Sequence, residues 1–221
     1  MTLFSSDTSP LSWIVRKFRL LVVLSISLYL VGCATPPESE TNVDWQQHQS
    51  QLQEITHFRV TGKLGYKDSE QSQSLNFIWQ HSPEKSELRL TNFLGQTMLN
   101  LTTDGTSTKV DTFGGDSYTG SNPSQLIYQL TGIIIPYQQM NSWIKGVPTS
   151  NDTYTLNEQS TLASISSPIT NKPWLLSYQS YMDVASTANA QDAQLPMPKS
   201  LRLTRDDLLI KLAITKWTLN P

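Results

Sequence analysis

The chain has 221 residues, with 16 Lys and Arg against 18 Asp and Glu, a formal charge of −2, and only 15% of its residues charged. No basic stripe or block of like charges occurs, which excludes the clustered cations that neutralise nucleic-acid phosphates. A single cysteine excludes an intrachain disulfide framework and a cysteine-based zinc site, and His48, His57 and His81 fit no metal-binding helical pattern.

Arg16, Lys17 and Arg19 precede an apolar run from Leu20 to Val31. Basic residues followed by a short apolar core read as a secretory signal. The run of about 12 residues is too short for a spanning helix, which needs roughly 20. It stops at Leu30-Val31-Gly32-Cys33, which looks like a bacterial lipobox, so residues 1–32 are expected to be removed and Cys33 to carry a covalent lipid. The bland alternative is an ordinary signal peptide, or a buried helix with a chance cysteine. A sole thiol with no intrachain partner favours lipidation. Removing 32 of the 221 residues leaves 189, and losing Arg16, Lys17, Arg19 and Asp7 moves the charge from −2 to −4.

Residues 33–43, rich in Pro, Ser, Thr and Glu, carry no apolar periodicity and are expected to form a flexible tether. Ala34 stands where many inner-membrane-retained lipoproteins have Asp. By that analogy the address is the outer membrane, with the protein lipid-anchored and facing the periplasm.

Residues 44–221 read as one domain. Asp44 caps a helix running to Ile55, with Trp45, His48 and Leu52 on one face and His48 as its polar flank. Strand signals follow: Phe58, Val60, Leu64 and Tyr66, then Leu75, Phe77 and Trp79, then Leu88 and Leu90, each alternating with polar residues. Met98 to Thr102 and Ser107 to Thr112 continue the pattern. Asn122-Pro123 opens a helix lined by Leu126, Ile127 and Leu130 and ended by Gly132. Ile133 to Pro136 is an apolar link. Tyr137, Met140, Trp143 and Ile144 mark a further helix, stopped by Gly146. Strands resume at Asp152 to Leu156, Leu162 to Ser166 and Trp174 to Met182. Ala185 to Gln194 reads as a loop. Ser200 to Thr204 and the strand of Ile210, Leu212 and Ile214 flank a hairpin turn at Asp206-Asp207. Ten or eleven strands exceed one flat sheet, so the fold class is mainly β: an unclosed antiparallel half-barrel with a short-helix lid.

Catalytic patterns are missing. G-x-S-x-G, the P-loop and G-x-G-x-x-G do not occur, and Asp206-Asp207 is better read as a solvated turn than as a carboxylate pair. An enzyme is not expected, and neither is a metal or a cofactor beyond the lipid on Cys33. What remains is apolar surface. The inward face of the sheet offers Phe58, Val60, Leu64, Leu75, Phe77, Trp79, Leu88, Leu90, Leu201, Leu203, Ile210 and Leu212, and the lid adds Leu130, Ile135, Met140, Trp143 and Ile144. These form either a packed core or an acyl-chain cavity. Phe93-Leu94-Gly95 is an apolar tip between two strands, where a polar turn would be expected, and such tips usually mark contacts.

Several segments carry a resemblance in a fixed order: Trp45-x-x-His48, Phe77-Ile78-Trp79-Gln80, Leu90-Thr91-Asn92-Phe93-Leu94-Gly95, Leu130-Thr131-Gly132, Ile135-Pro136, Trp143-Ile144-x-Gly146-x-Pro148 and Lys216-Trp217. Together with the lipobox, they resemble the outer-membrane lipoprotein receptor LolB family from Trp45 to Trp217. The resemblance implies a LolA/LolB-like half-barrel whose inner surface holds the acyl chains of cargo lipoproteins handed over by the periplasmic carrier LolA. It implies that Leu94 enters outer-membrane lipid, with Phe93 beside it where the family has Pro. A monomer is expected. Two rivals stay open: a structural envelope lipoprotein with a filled core, and a periplasmic lipid-binding protein with other cargo.

Overall fold

Apolar residues at every second position give most of the strands one apolar face, and strands of this kind must share that face to bury it. The computed structural model describes residues 37–132, 135–169, 171–185 and 194–220. The signal segment, Cys33, Ile133-Ile134 and most of the loop expected at 185–194 lie outside the described residues. Eleven strands form one sheet: β1 (Phe58–Lys67), β2 (Ser72–His81), β3 (Ser86–Thr91), β4 (Thr97–Thr103), β5 (Thr108–Thr112), β6 (Ser117–Gly120), β7 (Thr153–Leu156), β8 (Leu162–Ser167), β9 (Trp174–Ala185), β10 (Gln194–Arg205) and β11 (Leu208–Leu219). Their order is β6-β5-β4-β3-β2-β1-β11-β10-β9-β8-β7, so the first and last strands meet at the centre while β6 and β7 are free edges. The fold is mainly β, antiparallel and unclosed, as the alternation predicts.

Register carries the apolar face across the sheet. Val60 pairs with Trp79 and with Trp217, Phe77 with Leu90, Leu88 with Leu101, and Leu101 with Val110. On the other half Leu64 pairs with Leu212, Leu201 with Tyr178, and Leu203 with Leu176. Lys63, Arg89, Lys109, Arg202 and Lys211 occupy the opposite, exposed face.

Three helices complete the described fold: α1 (Trp45–Glu54), α2 (Pro123–Thr131) and α3 (Tyr137–Trp143). Asp44 caps α1 by accepting from the Gln47 N–H at 2.9 Å, and Asn122 caps α2 through the Gln125 N–H. Gly132, at φ 71, ends α2 in the left-handed conformation that glycine adopts without strain. The chain leaves edge strand β6, passes through α2 and α3, and enters edge strand β7. The two helices therefore connect the free edges of the sheet.

Some expectations need correction. Strand β6 was not foreseen, because its four residues, Ser-Tyr-Thr-Gly, lie at an edge and show no apolar alternation. Strand β10 begins at Gln194 instead of Ser200 and contains Pro196 and Pro198. Those residues pair with β9 alone, since β11 pairs with β10 only from Ser200 onward, so the prolines' missing N–H groups leave no β11 ladder bond unmade. Helix α3 ends at Trp143, short of Gly146. The described part of the expected tether is not free chain. The Ser39 N–H donates to the Tyr181 carbonyl at 2.9 Å and the Val43 N–H to Gln159 at 3.1 Å. Thr41 donates to the Asp183 carboxylate at 3.1 Å. Polar groups can fix such a segment along a strand without any apolar burial. His48 is not a polar flank but buried, with neither ring nitrogen hydrogen-bonded.

Candidate functional site: the lidded apolar face and the β3–β4 tip

The structure gathers nearly all the residues proposed for the interior into one apolar cluster. Phe58, Val60, Phe77, Trp79, Leu201, Leu203, Ile210 and Leu212 are buried on the sheet, and Trp143 and Ile144 are buried on the lid. Leu64, Leu88, Leu90, Leu130, Ile135 and Met140 are half-buried against them. Leu75 is also half-buried but stands outside the cluster, so it contributes less to this surface than its alternation suggested. The cluster further includes Leu101, Trp174, Tyr178, Met197 and Trp217, which were not singled out as interior residues. The alternation of Trp174, Leu176 and Tyr178 carried that signal. With Trp143 at 0% exposure, the lid fills the face it covers.

Polar bonds hold the lid to both halves of the sheet. On the β9 side, the Tyr178 hydroxyl donates to the Trp143 carbonyl at 2.7 Å. The Trp143 indole N–H donates to Asp152 Oδ2 at 2.8 Å, an oxygen that also accepts from the Thr149 N–H and hydroxyl. On the β2–β3 side, the Trp79 indole N–H donates to Ser86 Oγ at 2.8 Å, and Ser86 Oγ is 2.9 Å from the Tyr137 hydroxyl. The Trp79 and Tyr137 rings lie 5.6 Å apart.

A cavity of about 270 Å³ opens where the β2–β3 turn meets the starts of α2 and α3, lined among others by Trp79, His81, Lys85, Tyr137 and Asn141. His81 Nε2 and Asn141 Nδ2 are 3.0 Å apart there. Burial first, and then the charges of Lys145 and His57, hold His81 below the ordinary imidazole range. Burial also pulls Lys145 down; its ammonium donates to the Ile55 carbonyl at 2.8 Å. These groups tie α1, β2 and the lid together. Among the described residues no group of three or more His, Cys, Asp or Glu could hold a metal ion.

The tip between β3 and β4 is the opposite of a packed core. Phe93 is 88% exposed and Leu94 69%. Asn92 organises the loop: its Oδ1 accepts from the Leu94 and Gln96 N–H groups, each at 3.0 Å, and its Nδ2 donates to Gln96 Oε1 at 2.8 Å. Gly95, at φ +81, turns the chain back. A network satisfying the loop backbone therefore presents two apolar side chains to solvent, where burying them elsewhere would be favourable by about 2 kcal/mol each.

Comparison with known proteins adds the family. The family model described as "Outer membrane lipoprotein LolB" matches residues 56–217. The chain is 44% identical over 203 residues to the outer-membrane lipoprotein LolB of Vibrio cholerae, covering 92% of this chain and 97% of that protein. It is 41% identical over 197 residues to that of Vibrio vulnificus, covering 89% and 96%. Among solved structures, a DUF1329 family protein from Desulfovibrio piger superposes with a TM-score of 0.53 at 7% identity, covering 80% of this chain and 91% of that one, a likeness of fold alone. The chain belongs to the LolB family of outer-membrane lipoproteins.

Proposed function

We propose that this protein accepts lipoproteins from the periplasmic carrier LolA, shelters their acyl chains on the apolar face under the lid, and releases them into the outer membrane. Residues 44–221 would act as a single lipoprotein-binding domain, monomeric and anchored through a lipid on Cys33. No residue is assigned a catalytic role and no cofactor is needed. The observation that carries this reading is the pairing of a lidded apolar face with a separate apolar tip at Phe93-Leu94.

The magnitudes agree with a lid that yields to lipid. Exposing Trp143 and Ile144 would forfeit roughly 200 Å² and 100 Å² of apolar burial, about 7.5 kcal/mol at ~25 cal/mol per Å². An acyl chain returns about 0.8 kcal/mol per buried methylene. On the order of ten methylenes under the lid would offset its displacement. A short or polar ligand would not. The interior is sealed against water until a long chain replaces the lid side chains.

The test is site-specific photo-crosslinking during transfer from LolA. A crosslinker at Leu203 or Ile210, on the covered face, should capture the cargo's acyl chains, and one at Leu175, on the outer face, should not. Capture at Leu175 alone would overturn the interior as the binding surface.

A further inference from the structure

Three turns of this sheet share one hydrogen-bond pattern. In each, the first residue's N–H donates to the carbonyl of the fifth, and the fourth residue's N–H donates back to the carbonyl of the first. At Asn92–Gln96 both bonds are 3.0 Å; at Thr112–Asp116 they are 3.0 and 3.1 Å; at Asn157–Thr161 they are 2.9 and 3.0 Å. The fourth residue has positive φ in every case: Gly95, Gly115 and Ser160. What differs is the cargo of the turn. Asn92–Gln96 presents Phe93 and Leu94, and Thr112–Asp116 presents Phe113, 60% exposed. Asn157–Thr161 presents Glu158 and Gln159.

Their positions follow the same division. Strands β3 and β5 run in one direction and β7 in the other, so the β3–β4 and β5–β6 turns leave the same end of the sheet and the β7–β8 turn leaves the opposite end. The two phenylalanine turns are also neighbours. The Phe113 N–H donates to the carbonyl of Met98, the second residue of β4, at 3.1 Å. The turns are centred two strand spacings apart, about 10 Å.

We propose that Phe113 is a second membrane contact, and that the β3–β4 and β5–β6 turns form one patch that enters the lipid surface together. The inference rests on the reading of Leu94 as the membrane-entering residue and extends it to a neighbouring hairpin. A bilayer fits the patch better than a protein partner does. Three side chains on two convex tips fall short of the ~1,200–2,000 Å² that a stable protein interface buries, whereas a soft apolar layer needs no shape match. Asp116 is the only charged residue in either turn, so the attraction would be apolar and insensitive to salt. At this end the β1–β2 and β10–β11 connections carry Lys67, Asp68, Glu70, Asp206 and Asp207, and the β8–β9 turn carries Lys172 beside the exposed Ile169. Those charges would keep the far side out of the headgroups, so the molecule would meet the membrane tilted onto its β3–β6 corner.

The test places a cysteine, labelled with an environment-sensitive fluorophore, at Leu94, Phe113 or Glu158 of the lipidated protein in phosphatidylcholine vesicles, with and without spin-labelled quenching lipid. Blue shift and quenching at 94 and 113, and neither at 158, are expected. Quenching at 94 without 113 overturns this inference and leaves the role of Leu94 standing. Quenching at 113 without 94 overturns both the shared patch and the role of Leu94, leaving a contact at Phe113 alone. Absence at both positions, or equal quenching at all three, overturns the inference and the role of Leu94 alike. In parallel, Phe113→Asp should lower delivery to vesicles several-fold with an unchanged thermal melt, and Phe113→Leu should restore it; normal delivery by Phe113→Asp would overturn the inference.

Discussion

Tyr178 on β9 donates its hydroxyl hydrogen to the carbonyl of Trp143, at the end of lid helix α3, across 2.7 Å of buried space. Burial, reinforced by Tyr181 and Asp152, pushes the Tyr178 hydroxyl well above its ordinary pKa, so it stays a donor at physiological pH. Tyr178→Phe would remove one of two donors to the Trp143 carbonyl, which would keep the Gly146 N–H at 3.0 Å. Losing one such bond costs about 0.5–1.5 kcal/mol. The expected outcome is faster amide exchange across residues 137–145 and faster acyl uptake, with strand protection unchanged. Unchanged exchange in the lid would contradict a latch at this bond.

His48 gives the fold a pH dependence. Burial lowers its pKa from 6.5 to about 4, and neither ring nitrogen has a partner. Above pH 6.5 the ring is neutral in both folded and unfolded chains and contributes no slope. As pH falls from 6.5 towards 4 the unfolded chain binds the proton and the folded chain does not, so stability declines through that window. The loss should reach about 2 kcal/mol at pH 5 relative to pH 8. His81 is lowered as well, and its contribution has the same sign. Chemical denaturation of the parent and His48→Gln at both pH values checks this: the variant should lose less between them. An equal loss would contradict the assignment.

Period-two alternation between polar turns made most strands legible, because a half-buried sheet needs that pattern and little else. The caps Asp44 and Asn122 worked for the same reason: each bond lies within four residues. The Tyr178–Trp143 latch was not legible, since 35 residues separate partners that only the folded sheet brings together. The anchoring of Ser39 and Thr41 beside Asp183 likewise depends on hydrogen bonds to a strand over 140 residues away. The Phe93-Leu94 tip stood out because apolar residues occupied a turn. Phe113 sits in the same turn geometry but was masked by the glycines beside it.

Gly62 marks a close approach between β1 and β11. A Cβ there would lie 2.3 Å from the Ala213 carbonyl oxygen and 2.9 Å from the Phe77 ring, beside the bulge at Thr61-Gly62. Backbone cannot yield as a flexible side chain can. Gly62→Ala should therefore destabilise by about 1–3 kcal/mol, seen as a lower melting temperature. An unchanged melt would show that the β1–β11 contact relaxes freely.

Cys33 carries the anchoring claim. Cys33→Ala should yield an unlipidated precursor, either soluble or retained at the inner membrane. Normal outer-membrane fractionation of that variant, with no lipid at residue 33, would contradict the lipobox reading.

Acceptance and delivery are assigned to different places, the covered face and the exposed tip, and Leu94→Glu separates them. Leu94 is 69% exposed and outside the apolar cluster, so the change should leave folding intact. It also puts a carboxylate where an apolar side chain must enter lipid, which is unfavourable. The decisive measurement is a two-step assay, from LolA to the purified variant and then from the variant to liposomes. Normal acceptance with failed delivery is the expected result. Normal delivery, or loss of both steps together with the folded state, would contradict the division of labour between the lidded face and the tip.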